Sequence, residues 1–314
     1  MRYVEMLKEG DNVSDIYLVK SKHSAMTKNG KPYDNVVIQD KTGTLEAKIW
    51  EPNSGGIDDF DELDYVDFNG QVVSFNGQLQ LNVKRARKCR EGEYNPADYL
   101  PVSKKDIGKM YEELLSIVKS VKTIQLRMLL EDFFVKDEEV VDKFKKSSAA
   151  KSVHHGFVGG LLEHTLSVTK LCDFLATLYP NMNRDLLVSA AMLHDIGKLK
   201  EISLFPENDY TDDGNLLGHI VIGYEMVGAK IKNIQGFPQK LASELLHCIL
   251  AHHGELEFGS PKKPSIIEAV ALSFADNTDA KLETMTEELS KTTDTGWLGF
   301  NRYIESNIRK TSTN

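Results

Sequence analysis

Eight of the nine histidines in this 314-residue chain fall between His154 and His253. Several occupy apolar, helix-like stretches, where an imidazole is costly to bury unless something pairs with it. The sharpest element is MLHDIGKL, in which His194 and Asp195 close an apolar run and Lys198 follows one helical turn later. Upstream lies GGLLEHTLSV with His164. Downstream lie GHIVIGYE with His219, LAHHGE with His252 and His253, and SFADNTDAK with Asp276. Mixed imidazoles and carboxylates suit first-row divalent cations. A carboxylate has two oxygens, so Asp195 can bridge two ions while His194 binds one of them. Paired ions about 3.5–4 Å apart can clamp the attacking and leaving oxygens of an in-line phosphoryl displacement. No activated serine or cysteine is then required, and the chain contains no G-x-S-x-G elbow.

The remaining histidines are less decisive. Adjacent helix positions point about 100° apart, so only one of His252 and His253 need be a ligand, with His252 slightly preferred. His154 and His155 precede GFVGG, where they could contact a substrate phosphate or simply flank a helix; the glycines themselves read as a helix-entry turn.

Two kinds of element must position these groups. From Val13 to about Lys88 the apolar period is that of strands, as in LEAKIW, where Leu45, Ala47 and Ile49 alternate with polar neighbours. Turn signals in TKNGKP, QDKTGT and SFNGQL separate about five strands, the last with Asn76-Gly77 at a hairpin position. That number suits an all-β barrel of OB type, whose open face commonly receives single-stranded nucleic acid. On it, Tyr33 and Trp50 are candidates to stack bases, with core packing the alternative for at least one. Lys84, Arg85 and Arg87, within KRARKCR, are candidates to follow a phosphate backbone, with a solvated strand end as the alternative. The acidic stretch from Asp58 to Asp64 reads as a solvated loop. Past Pro96 and Pro101 the period becomes helical and continues to about Leu289. The expected organisation is therefore two domains: residues 1–95 a nucleic-acid-binding barrel, 96–106 a linker, 107–309 an all-α helical bundle, and 310–314 a frayed tail.

The order H…HD…H…HH…D resembles the HD superfamily of metal-dependent phosphohydrolases. With the barrel before it, and with HHGFVGGLLEHTLSV, MLHDIGK, GHI, HHGELEFGSP and FADNTDAK along it, nearly the whole chain resembles the YhaM-type 3′-5′ exoribonucleases. The HD doublet alone occurs often by chance; the combined pattern is far more specific. The resemblance implies a first metal held by His164, His194, Asp195 and Asp276. It implies a second held by Asp195, His219 and one or both of His252 and His253, with Lys198 steadying the scissile phosphate. It also implies manganese, although such a donor set would accept iron, cobalt or zinc. The implied activity is removal of nucleoside 5′-monophosphates from the 3′ end of single-stranded RNA, with single-stranded DNA as a further substrate.

Composition narrows the field. With 41% hydrophobic and 27% charged residues the chain has a globular balance, and no apolar run reaches the length of a membrane span. MRYVEMLKEGDNV has no secretory pattern, so a cytoplasmic location is expected. Three separated cysteines argue against a disulfide framework or thiolate zinc site. A net charge of −9 means that nucleic-acid contacts must be local or metal-assisted. A homo-oligomer is compatible with this, although no interface is legible. Two rivals stand beside the exonuclease: an HD-type nucleotidase or cyclic-nucleotide phosphodiesterase with a regulatory barrel, and a non-catalytic nucleic-acid-binding protein.

Overall fold

A computed structural model of the chain describes residues 1–27, 29–75, 77–151, 155–290 and 296–312. His154 and Asn76 lie outside the described residues, as does the end of the tail. Two compact units divide the chain, Met1–Val102 and Ser103–Asn314.

In the first unit, the strands are β1 (Asn12–Met26), β2 (Pro32–Asp40), β3 (Gly43–Ile49), β4 (Tyr65–Phe75) and β5 (Gln78–Lys88). They close into a barrel in the order β1-β2-β3-β5-β4, with the β3–β5 pair parallel. This is the five-stranded OB-type barrel. Alternation does the sorting: Leu45, Ala47 and Ile49 turn inward to join Tyr17, Ile38, Phe68 and Leu81 in the core. The β4–β5 turn contains Gly77 at φ +80°, the left-handed conformation that a tight hairpin demands. The acidic loop between β3 and β4 exposes Asp58, Asp59, Asp61 and Glu62 to solvent. Phe60, at its centre, is fully buried and meets Phe68 edge-on at 5.8 Å.

Within the second unit the helices are α1 (Ile107–Ser120), α2 (Ile124–Glu131), α3 (Glu138–Lys146), α4 (Gly160–Leu178), α5 (Arg184–Leu193), α6 (Lys198–Glu201), α7 (Asp212–Lys232), α8 (Gln239–Ala251) and α9 (Ile267–Ser290). Side-chain caps start four of them, from Asp106, Asp137, Asn183 and Thr211. Each such cap stabilises its helix by about 1 kcal/mol. α5 is the axis of the unit: every residue from Leu186 to Leu193 is buried, the mark of a helix packed on all sides. α4, α8 and α9 pack directly on α5, so the residue that follows its last turn emerges into the middle of the bundle.

The bundle is not helical to its end. Trp297–Asn301 (β6) and Ser306–Arg309 (β7) form a short antiparallel hairpin. Trp297, Phe300 and Tyr303 are spaced like one helix face, but Gly296 and Gly299 disfavour a helix there. Among the described residues no helix is long and apolar enough to cross a membrane.

Candidate active site

His194 and Asp195 follow directly on α5, which delivers both side chains to the buried centre of the bundle. The chain then turns tightly through Ile196 and Gly197 into α6. A Cβ on Gly197 would lie 2.0 Å from the His219 carbonyl oxygen, so only glycine permits this approach of α6 to α7. α7 itself is broken at Gly218 (φ +75°), which leaves the His219 N–H free to donate to Glu201 Oε1 at 2.8 Å. His164 comes from α4 and Asp276 from α9. His252 and His253 follow α8.

These side chains form two groups that share Asp195. Around its Oδ2 lie His164 Nε2 at 3.4 Å and His194 Nε2 at 3.3 Å. Asp276 Oδ1 completes this group, 3.2 Å from His164 Nε2 and 3.8 Å from His194 Nε2. Around Asp195 Oδ1 lie His219 Nε2 at 3.4 Å and His252 Nε2 at 3.6 Å. His219, His252 and His253 can turn ligand atoms toward one point. The two histidines after α8 are therefore not directed apart: the helix ends at Ala251, and the turn that follows brings both imidazoles to one side, with centroids 4.4 Å apart. The regular helical offset that favoured one ligand over the other does not apply there.

The tautomers can be read from the outer partners. His164 Nδ1 meets Asp279 Oδ2 at 2.7 Å, and His194 Nδ1 meets the Ala191 carbonyl at 2.8 Å. His219 Nδ1 donates to Glu201 Oε1 at 2.9 Å, His252 Nδ1 to the Ile249 carbonyl at 2.7 Å, and His253 Nδ1 to the Phe258 carbonyl at 2.8 Å. In all five rings Nδ1–H is engaged, so Nε2 presents a lone pair inward when the ring is neutral. His164 and His194 then turn two lone pairs on each other at 3.3 Å. Asp195 Oδ1, His219 Nε2 and His252 Nε2 are buried without a hydrogen-bond partner among the described residues. Such an arrangement is costly unless cations sit among the donors. The separations fit: ligands about 2.1 Å from one ion lie roughly 3.0–3.4 Å from one another. The donor set therefore fits divalent metal, with imidazole nitrogens favouring manganese, iron, cobalt or zinc over magnesium.

Charge balance agrees. Burial opposes a proton on His164, yet the carboxylates of Asp195, Asp276 and Asp279 outweigh it and raise its pKa well above the ordinary value. Burial also opposes the Asp195 carboxylate, but Lys198 and the imidazoles hold its pKa well below the usual range. The three carboxylates around His164 favour a positive charge at the position between them. Burial and neighbouring imidazoles push His252 the other way, well below its usual value, which keeps its nitrogen available as a ligand. Lys198 Nζ lies 2.7 Å from Asp195 Oδ2; burial works against its charge, but Asp195 overcomes this and raises its pKa.

A cavity of about 390 Å³ opens beside these groups, with His164, Asp195, Lys198, His252, His253 and Asp276 on its wall. His155 is not on that wall. It was a candidate for substrate contact, but it is buried behind His164, its Nε2 3.1 Å from Asp279 Oδ2. Asp279 and Glu201 are positioning residues that the motifs did not single out. A signal existed for Asp279: it follows Asp276 by three residues and so shares its helix face. Glu201 bears the same relation to Lys198, but on α6, a helix of four residues.

On the barrel, Tyr33 and Trp50 lie outside the core and stack on each other, centroids 5.3 Å apart. Trp50 is half-exposed, and its Nε1 donates to Asn82 Oδ1 at 3.3 Å. Arg87 is engaged by Glu93 at 2.9 Å and Asp67 at 3.4 Å. Lys84 and Arg85 are exposed and make no ion pair among the described residues.

The HD domain family model matches residues 161–281, the stretch that contains both groups of side chains around Asp195. The 3′-5′ exoribonuclease YhaM of Bacillus subtilis (strain 168) is 34% identical over 288 residues, covering 90% of this chain and 89% of its own. Among solved structures, the second OB-fold domain of replication protein A from Methanococcus maripaludis overlaps 30% of this chain and 100% of its own, at 16% identity and a TM-score of 0.24. The HINb domain of p204 overlaps 27% and 44%, at 20% identity and a TM-score of 0.22. The match to the Bacillus enzyme is too long to be confined to the helical unit, and at that identity the chain belongs to the YhaM family of 3′-5′ exoribonucleases, hydrolases built on an HD domain.

Proposed function

We propose that this protein shortens single-stranded RNA from its 3′ end and releases nucleoside 5′-monophosphates, in the cytoplasm, with single-stranded DNA as a further substrate. The observation that carries this reading is Asp195: each of its two oxygens is addressed by a separate set of imidazoles, as a carboxylate bridging two ions requires. His164, His194 and Asp276 would hold one ion with it; His219, His252 and His253 would hold the other. Manganese is proposed from the family resemblance alone; the imidazoles would accept iron, cobalt or zinc equally. When bound, the metal pair supplies Lewis acidity toward the scissile phosphate and lowers the pKa of water for attack.

The chain's own residues do the rest. Asp279 and Glu201 fix the ring orientation and tautomer of His164 and His219, as carboxylates behind metal-binding histidines do. Lys198 keeps its proton and can share its donors between Asp195 and a non-bridging phosphate oxygen, neutralising charge as it develops. On the barrel, Trp50 and Tyr33 offer stacking surface to unpaired bases, and Lys84 and Arg85 offer charge to the backbone. Arg87, already held by two carboxylates, contributes less to that contact.

The test is turnover of a 5′-labelled oligoribonucleotide compared with mononucleotides and cyclic nucleotides, with and without chelator. A ladder of products shortened from the 3′ end, abolished by chelator, is expected. Exclusive hydrolysis of the small nucleotides would replace this reading with a nucleotidase or cyclic phosphodiesterase.

A further inference from the structure

The cavity wall carries more than ligands. Beyond the metal-facing groups and Lys198 it is formed by Phe258, Ser273, Asn277 and the small side chains of Ala149 and Ala280. Ser273, Asp276, Asn277 and Ala280 recur at i, i+3, i+4 and i+7 along α9, so one stripe of that helix faces the cavity. The stripe joins a metal-facing carboxylate to two neutral polar groups. Asn277 is exposed and makes no side-chain hydrogen bond among the described residues. Phe258 lies on the short turn Leu256–Phe258 and leaves 65% of its surface to solvent. The His253 ring is tied to its carbonyl at 2.8 Å. An exposed phenyl ring therefore stands one residue contact from an imidazole of the metal-facing group.

Each part of a nucleotide finds a matching chemistry here. Phosphate is served by the cations' site and Lys198. An apolar ring offers a base its π-face, which every base can use without regard to sequence. Neutral amide and hydroxyl groups suit ribose hydroxyls, and the 2′-hydroxyl is what separates RNA from DNA at any one position. The volume of about 390 Å³ falls in the range of small-molecule sites, ~300–1,000 Å³. Small alanine side chains on the same wall leave the space open.

We propose that this cavity seats the terminal nucleotide of the strand, with Phe258 stacking on its base and Asn277, assisted by Ser273, addressing its ribose hydroxyls. The proposal rests on the exoribonuclease reading and adds the residues that select the end to be cut.

The experiment compares three oligoribonucleotides of one sequence: unmodified, ending in a single 2′-deoxynucleotide, and ending in an abasic ribose. Removal of the terminal unit is measured for the full-length wild type, Phe258→Ala, Phe258→Trp and Asn277→Ala. Wild type should favour the base-bearing over the abasic end by roughly 10- to 100-fold, the scale of one base–aromatic stack. Phe258→Ala should erase most of that preference, mainly through KM, and Phe258→Trp should restore it. Asn277→Ala should bring the ribose and deoxyribose ends to similar rates while keeping the preference for a base. If wild type shortens none of the oligomers, the exoribonuclease reading fails and this subsite falls with it. If wild type shortens all three equally, or Phe258→Ala keeps the wild-type ratios, the exoribonuclease reading stands and the subsite is overturned.

Discussion

His164 Nδ1 donates to Asp279 Oδ2 across 2.7 Å, and this bond turns the opposite nitrogen of the ring toward His194, 3.3 Å away. Asp279 also receives Ser167 Oγ and His155 Nε2, so its own position is fixed from two further directions. Asp279→Asn would keep an acceptor for the imidazole but lose the charge that strengthens the bond. We expect metal affinity to fall by about 10- to 100-fold, the usual effect of removing a carboxylate behind a ligating histidine. Titration of the metal-free protein with manganese, followed by calorimetry, checks this; an unchanged affinity would remove Asp279 from the support of the site.

The raised pKa of His164 has a pH signature. Burial opposes the charge, but Asp195, Asp276 and Asp279 dominate and raise the folded pKa well above 6.5. A group raised in this way contributes stability in full below its unfolded pKa and loses it as pH climbs through the folded value. In the presence of chelator, the melting temperature should therefore decline as pH rises above about 6.5. The metal-loaded protein should not show this decline, because metal binding displaces the proton. Melting curves from pH 6 to 9 in both states test the point; parallel profiles would contradict it.

Gly197 sits at the entry to α6, against the middle of α7, and a Cβ there would meet the His219 carbonyl at 2.0 Å and the Gly223 nitrogen at 2.6 Å. Both obstacles are backbone, so neither can swing aside. Gly197→Ala should lower stability by about 1–3 kcal/mol and should weaken the metal held by His219 more than the metal held by His164. Thermal denaturation with metal counting provides the readout, and a melting temperature equal to wild type would show that the two helices are less constrained than the geometry implies.

Residue type made much of this site legible before any coordinates. Histidine and aspartate at apolar positions have few alternatives to metal or mutual pairing, which is why His164, His194, Asp195 and Asp276 could be named from sequence and are found together. The alternation of Leu45, Ala47 and Ile49 carried the barrel in the same way. What stayed hidden depended on direction rather than identity. His252 and His253 converge because α8 stops one residue before them. His155 faces Asp279 and not the cavity, although its sequence neighbourhood fits either place. Asp279 and Glu201 looked like ordinary helix carboxylates until the rings they orient were in view. The terminal hairpin, Trp297–Asn301 with Ser306–Arg309, lies beyond Leu289, where the helical period ends, and its two strands are too short to carry a strand period of their own.

Asp195 joining two cations is what the proposed activity requires above all. The most direct measurement is the number of manganese ions bound per chain in wild type and in Asp195→Ala, taken by elemental analysis on the samples used for oligoribonucleotide turnover. Two ions in the wild type, loss of at least one in the variant, and turnover reduced to background are predicted. Equal metal content in the two proteins, with turnover preserved in Asp195→Ala, would contradict it.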